Sequence, residues 1–512
     1  MIINDNDHDD ERLLDRDYAH SNSIKEEALN RTILGGPDKL LEGLYKYYHG
    51  GGLVSLQLAR ISTIAIFGFM QLFVLYLSYG VDWRDPLQSC TSLLCVFRNM
   101  TFFGWLAYIT TSVLLTISIV KYYVVEREKW LDCKTVYRRV LGLRDSEMRS
   151  LDWDQIMDLV ITKRLVTGDK LNICARLMRR ENYLIAMFSK GLLDFDLNVV
   201  PFSIKYKVPL SKPLEWALVF CLFGFIFNPD TCELSSVIVR MKTREEVDAV
   251  KERLRKRTVI IGFLMLIAAP LVFGVTIVYL VFRYGEQAYR NPSSLFTRQY
   301  TQSARWHTRQ YNELPHYFEK RLRRTIPDGT LLVQSRKDPR IVSVCRLLSF
   351  MSGSLFLILL VMGVVYEDLF KTRLLSWMAV LGAILTVSNQ YKEPVDCDYN
   401  LIVKKLEEDL GPVNALALTS WLRVKARILL DDLLGCILAP IVLLTLLPQK
   451  SSEIIDFVRE FTIHVHPLGY VCSYSVFKCL AGHFNTDGTM ADQKLDQSVM
   501  GFAKRHTIVS LS

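Results

Sequence analysis

Four polar residues standing just behind a long apolar run are the groups in this chain best suited to handle a charged or zwitterionic substrate. Arg283, Glu286, Arg290 and Asn291 are spaced three, four and one apart, so three of them share a face if the chain is helical there. Two cations and one anion at that spacing offer weak, exchangeable partners to phosphate and amine groups. No rival chemistry is legible. His464 and His466 would face the same side of a strand, but no third ligand stands at a metal-site spacing, so no metal is expected. A Gly-rich phosphate loop, a serine elbow and a trustworthy carboxylate pair are all missing, and Gly50–Gly52 merely precedes a helix. Neither a cofactor nor covalent catalysis is expected: the residues favour transport over an enzyme.

What must position those four residues is the run Thr258–Phe282, which carries no charge yet has basic segments at both ends. Short Lys/Arg-rich flanks prefer the cytoplasmic side of a membrane. The stretch 283–340 holds twelve Lys/Arg against five Asp/Glu, which keeps it on that side. Pro270, near the middle of the run, lacks the N–H that a helix needs. The reading is therefore a re-entrant segment that turns back at Pro270, beside a water-filled groove, because broken backbone is not tolerated against lipid. Four more uncharged stretches, Ile61–Gly80, Thr101–Val120, Leu347–Tyr366 and Leu374–Tyr391, approach or meet the roughly 17–25 residues of a spanning helix. They give four crossings with both termini cytosolic. Leu433–Leu447, preceded by Asp431–Asp432 and interrupted by Pro440, reads as a second re-entrant or interfacial segment.

The fold class that follows is an all-α polytopic membrane protein with four transmembrane helices, re-entrant helices, a mainly helical cytosolic part and a small C-terminal β-hairpin in EFTIHVHPLGYVCSYSVF. The divisions are 1–52, a tail and amphipathic helix; 53–125, helices one and two; 126–257, cytosolic helices; 258–291, the re-entrant segment; and 292–340, a basic segment. Then come 341–391, helices three and four; 392–427, cytosolic helices; 428–448, the second embedded segment; and 449–512, a cytosolic end. LEWALVFCLFGFIF is too short to span easily and reads as buried or interfacial. The formal charge of +9 on 512 residues sits beside apolar segments, which favours anionic headgroups over nucleic acid. The first twenty residues are acidic with no apolar core, so no cleavable signal peptide is expected. Within them Asp9, Leu13 and Leu14 have the shape of an acidic dileucine sorting signal. Among eleven cysteines, Cys90 and Cys95 share the first inter-helix connection and can pair if it is lumenal. Asn99 heads a glycosylation sequon set very close to helix two.

YNELPHYFEKRL, residues 311–322, resembles the signature of the autophagy-related protein nine family. YKYYHGGG, RLMRRENYLIAMFSKGLLD, RYGEQAYRNPSS, ARWHTRQ and EIIDFVREFTIHVHPLGYVCSYSVF agree in order, over roughly residues 38–505. The resemblance implies a domain-swapped homotrimer with four spanning helices per subunit and a branched polar cavity. It also implies phospholipid scrambling, partnership with a lipid-transfer protein and autophagy scaffold proteins, and residence on Golgi- and endosome-derived vesicles and the autophagosome membrane. Asn312, Glu313, Leu314, Pro315 and His316 belong to the signature. The family's cavity-lining basic motif falls on Tyr289, Arg290 and Asn291, where only Arg290 matches fully.

Overall fold

The computed structural model describes residues 36–82, 85, 89–90, 92–199, 204–229, 231–241, 243–335, 339–365, 374–391, 398–411, 415–477 and 490–506. Asp9, Leu13 and Leu14 lie outside them. Helix α1 (Pro37–His49) starts on proline, where the missing N–H would be unpaired anyway. Gly51 and Gly52, with φ of 73° and 94°, turn the chain into α2; a side chain at either would strain that backbone. Helices α2 (Leu53–Tyr79) and α3 (Phe102–Lys121) form an apolar hairpin. Gln71 of α2 donates to Ser112 Oγ (2.5 Å) and to the Tyr108 carbonyl (3.2 Å) of α3.

Past α3 the helix continues through a π-turn, Tyr122–Glu126, into a polar body. That body contains α4 (Trp153–Thr162), α5 (Lys170–Leu177), α6 (Arg179–Ser189), a hairpin of β1 (Asp196–Val199) and β2 (Ile204–Lys207), and α7 (Lys212–Ile226). Helix α8 (Arg244–Arg290) follows, then β3 (Arg298–Tyr300), α9 (Gln302–Thr308) and α10 (Pro315–Ser335). A second apolar hairpin, α11 (Pro339–Val365) and α12 (Leu374–Tyr391), is joined by the Ser349 hydroxyl donating to Asn389 Oδ1 at 2.7 Å. Next come α13 (Tyr399–Leu410), β4 (Leu422–Val424), α14 (Lys425–Thr445) and α15 (Leu447–Glu460). The expected C-terminal hairpin is β5 (Thr462–Val465) against β6 (Gly469–Cys472), and α16 (Met490–His506) closes the described chain. β3 pairs antiparallel with β4, Arg298 opposite Val424, a contact that no local sequence pattern announces.

One core holds the body together. Leu41 of α1, Trp153 of α4, Met187 of α6, Leu222 of α7, Leu254 of α8, Trp306 of α9, Val458 of α15 and Phe502 of α16 all belong to it. A smaller core joins Tyr300, Phe318, Leu322, Leu406 and Leu422, tying α10 to α13 and β4. Burial on this scale, at about 25 cal/mol per Å² of apolar surface, fixes these segments relative to one another. The 292–340 stretch is thus part of a folded core and not merely a basic connection.

The expected turn at Pro270 is absent. Helix α8 is continuous over 47 residues, roughly 70 Å at 1.5 Å per residue, with Pro270 inside it. Its start is fixed by a reciprocal cap, in which Glu246 N–H donates to Thr243 Oγ1 and the Glu246 carboxylate accepts from Thr243 N–H. A proline inside a helix removes one hydrogen bond and costs about 3 kcal/mol. Packing along the helix offsets that cost. Helix α14 runs antiparallel beside α8, with Lys425 donating to Gln287, Cys436 near Thr276, and Leu443 and Leu444 against Gly262. Helix α15 extends the contact through the Lys251–Asp456 pair at 2.8 Å. Pro440 likewise lies inside an unbroken α14, so the second expected break is absent too. The chain before α8 and the chain after β3 share one core, so α8 leaves and rejoins the same body without turning back on itself.

Among the described residues, five helices are long and apolar enough to cross a membrane: Leu53–Tyr79, Phe102–Val140, Arg244–Gln287, Pro339–Gly363 and Lys425–Thr445. The chain is an all-α polytopic membrane protein. Helix α7, expected to be buried or interfacial, buries Leu218 and Leu222 on one face and exposes Trp216 and Phe220 on the other.

Two outcomes follow from this packing. Impermeant thiol reagents will label cysteines introduced at Lys163 and at Arg323 from the same side of oriented vesicles; labelling from opposite sides would show that α8 carries the chain across. Gly435→Ala will lower the thermal unfolding midpoint, since a Cβ there would stand 2.0 Å from Ser211 Oγ. Such overpacking costs about 1–3 kcal/mol.

Candidate functional site

The tail of α8 carries the residues singled out for substrate handling. Glu286 and Arg290 lie one turn apart and form a 2.7 Å ion pair, both largely exposed. A pair in that setting contributes little stability, about 0–1 kcal/mol, and exchanges readily. Arg283 is exposed one turn earlier. Asn291 ends the helix, its N–H donating to the Gln287 carbonyl at 2.9 Å. Tyr289 sits on the same helix, but its side chain lies outside the described residues. Lys425, the first residue of α14, lies 4.5 Å from the centre of the Tyr284 ring, so the two helices meet at this polar end.

Beside that junction lies a cavity of about 290 Å³. Phe188, Phe195 and Leu214 give it an apolar floor, while Lys207, His307, Arg423 and Arg427 reach it from β2, α9, β4 and α14. Asp431, nearly buried, accepts from Arg423 (3.3 Å) and pairs with Arg427 (3.4 Å). Asp432 accepts the N–H of Lys212 at 2.9 Å and so holds the start of α7. Burial, and then the charge of Lys494, push the His307 imidazole below its ordinary range.

Residues 312–316 lie in the body and act as its fastening. Asn312 adopts a left-handed backbone, φ 56°, which asparagine tolerates better than most residues. It exchanges hydrogen bonds with Asn182, Nδ2 of Asn182 to Oδ1 of Asn312 at 2.8 Å and the Asn312 N–H to Asn182 Oδ1 at 3.0 Å. Its own amide donates to the Ser475 carbonyl. Glu313, fully buried, accepts from Arg321 at 2.8 and 2.6 Å and from Arg505 at 3.1 Å. Burial alone would raise its carboxyl; the two guanidiniums outweigh that and hold it below the usual glutamate range. Leu314 is core, Pro315 opens α10, and His316 Nδ1 meets the Tyr45 hydroxyl at 2.9 Å. Burial, with the neighbouring charges of His49 and His506, pushes His316 down to about 4.

A family model described as Autophagy protein ATG9 matches residues 37–410 and 415–478. The chain belongs to that family. Autophagy-related protein 9 of Cryptococcus neoformans is 29% identical over 90% of this chain and 55% of its own length. That of Coccidioides immitis is 27% identical over 86% of this chain and 52% of its own. The chain therefore spans about half the length of these relatives. The cryo-EM structure of Schizosaccharomyces pombe Atg9 matches with a TM-score of 0.65 at 25% identity, covering 86% of this chain and 98% of that one.

For this ATG9-family chain the structure joins Glu286 to Arg290 and sets Arg283 one turn away. It does not join any of these to residues 312–316, which serve the core. Cys90 and Cys95 are disulfide-bonded, with Cα atoms 5.7 Å apart, and Asn99 is exposed with its amide near both sulfurs. Sequence reasoning missed Arg423 and Arg427. The available signal was the i, i+4 spacing of Arg427 and Asp431 at the head of an apolar run.

Removing the Glu313 charge will be costly. Glu313→Ala leaves two guanidiniums without their carboxylate, and breaking such a buried pair costs about 3–5 kcal/mol. Because the folded carboxyl titrates below its unfolded value of about 4.3, the stability it contributes is complete above that value. It is lost as pH falls through the depressed folded value. Acid unfolding curves of wild type and Glu313→Gln will converge as that loss completes. Curves that stay parallel across this range would show that Glu313 is not the titrating group.

Proposed function

We propose that this protein is an ATP-independent phospholipid scramblase serving autophagosome membrane growth. The observation that carries the reading is the side-by-side pair α8–α14. Both helices are long and apolar enough for a membrane, both return to the same polar body, and their shared end is charged beside a cavity. Four crossings, α2, α3, α11 and α12, then leave α8 and α14 embedded as non-crossing elements.

The physical task is to lower a desolvation barrier. Even one charged side chain at the centre of a bilayer costs about 2.5–3.5 kcal/mol on insertion scales. A polar, hydrated wall beside an embedded helix lets a headgroup stay solvated while its tails remain in lipid. Arg283, Glu286 and Arg290 supply partners that bind weakly and release, the condition for conduction through any multi-site path. The process runs down gradients, so it calls for no nucleotide site.

Membership of an autophagy family supports the cellular setting. Assembly as a homotrimer, work with a lipid-transfer protein and autophagy scaffold proteins, and residence on Golgi- and endosome-derived vesicles and the preautophagosomal membrane belong to the same proposal.

In liposomes of the reconstituted full chain without ATP, dithionite will bleach more than half of a fluorescent phospholipid. Glu286→Leu with Arg290→Leu will slow the second phase while leaving particle size unchanged. Bleaching that stops at the protein-free level would favour a scaffold that only recruits autophagy factors; ion flux without lipid movement would favour a channel.

A further inference from the structure

We propose that the cavity between β2, α9 and the head of α14 is a binding site for the phosphate of a lipid headgroup, held by Arg423 and Arg427. The proposal borrows from the scramblase reading only the placement of α14 in the membrane.

The charges decide what the cavity accepts. Lys207 is already engaged by Asp194 at 2.9 Å. Asp432 accepts the N–H of Lys212, and burial raises its carboxyl, so it opposes an anion less than an exposed carboxylate would. Arg423 and Arg427, by contrast, share a single carboxylate, Asp431, at 3.3 and 3.4 Å, longer than the 2.7–2.9 Å of a close charge-assisted bond. Two guanidiniums carry ten N–H donors between them, and one carboxylate cannot fill them. The three groups together hold a net positive charge, and both arginines remain partly exposed, at 37% and 58% of their side chains. Planar forks of this kind grip phosphate through paired N–H bonds. His307 and the amide of Gln302 line the same space and add no negative charge.

Size and position narrow the ligand further. A volume near 290 Å³ is at the small end for ligand sites, enough for a headgroup and too little for a whole phospholipid. Lys425, placed between Arg423 and Arg427 in sequence, faces α8 instead, over Tyr284 and Gln287. The cavity and the polar tail of α8 therefore lie on opposite sides of the same helical turn. A phosphate held by the arginines sits at the head of α14, where that helix turns apolar.

The test uses the full chain in detergent and three probes: short-chain phosphatidic acid, glycerol 3-phosphate and inorganic phosphate, each titrated by calorimetry. Phosphatidic acid will bind most tightly, and Arg423→Gln with Arg427→Gln will weaken it roughly tenfold, the loss of about one charge-assisted bond. Asp431→Asn will change binding in the opposite sense and strengthen it, because both guanidiniums are then released to the ligand; an unfolded variant cannot mimic that gain. Inorganic phosphate binding as tightly as the lipid would overturn the lipid source and leave a soluble phosphate as ligand. Unchanged binding in both variants would overturn the site. These titrations read binding alone, so a chain that binds phosphatidic acid yet fails to scramble refutes the transport reading and keeps this one.

Discussion

The buried contact between Asn312–Glu313 and the body ties the chain that follows α8 to the chain that precedes it. Asn182 and Asn312 satisfy each other through two hydrogen bonds, and Glu313 takes charge from Arg321 and Arg505. Neither residue can be left buried and unpaired without a penalty of about 1–3 kcal/mol, and more for the charge. The segment from the start of α8 to these anchors therefore begins and ends on the same body. The 25 apolar residues of α8 lie within that closed segment. Helix α14 is bracketed differently, by β4 on the smaller core and α15 on the larger.

A second clamp sets where the first apolar hairpin leaves the body. Asp38 of α1 pairs with Arg176 and Arg179 at 2.8 Å each, and both arginines also donate to carbonyls in the β5–β6 turn and strand. Helix α1 is thereby held across α5, α6 and the hairpin. The glycine turn after it then aims α2 outward. Removing any one partner would leave a buried charge exposed to low dielectric, which is why such clusters resist piecemeal change.

Much of this was legible in the sequence, and the parts that were not share a cause. Uncharged runs marked α2, α3 and α11 at membrane length and α12 as a shorter apolar helix, and alternation marked β5 and β6, because each signal is contained within its own segment. Pro270 and Pro440 misled for the opposite reason. Proline declares a local cost, but the packing that offsets it comes from a partner helix more than 150 positions away. The path residues of α8 were readable from spacing on one helix. The cavity was not, since its arginines, its histidine and its apolar floor come from five separate elements. Residues 312–316 could be recognised as a family signature, yet nothing in their order reveals that they fasten a core.

The disulfide between Cys90 and Cys95 sits at the closed end of the α2–α3 hairpin, remote from the body, whose cysteines at 133, 174, 221, 232 and 472 are all thiols. Bonds of that kind persist where the surroundings oxidise, and thiols persist where they reduce. The two sulfur states therefore act as a compass built into the chain. They set the hairpin tip and the body apart as chemically distinct ends of the chain, a cross-link at one and thiols at the other.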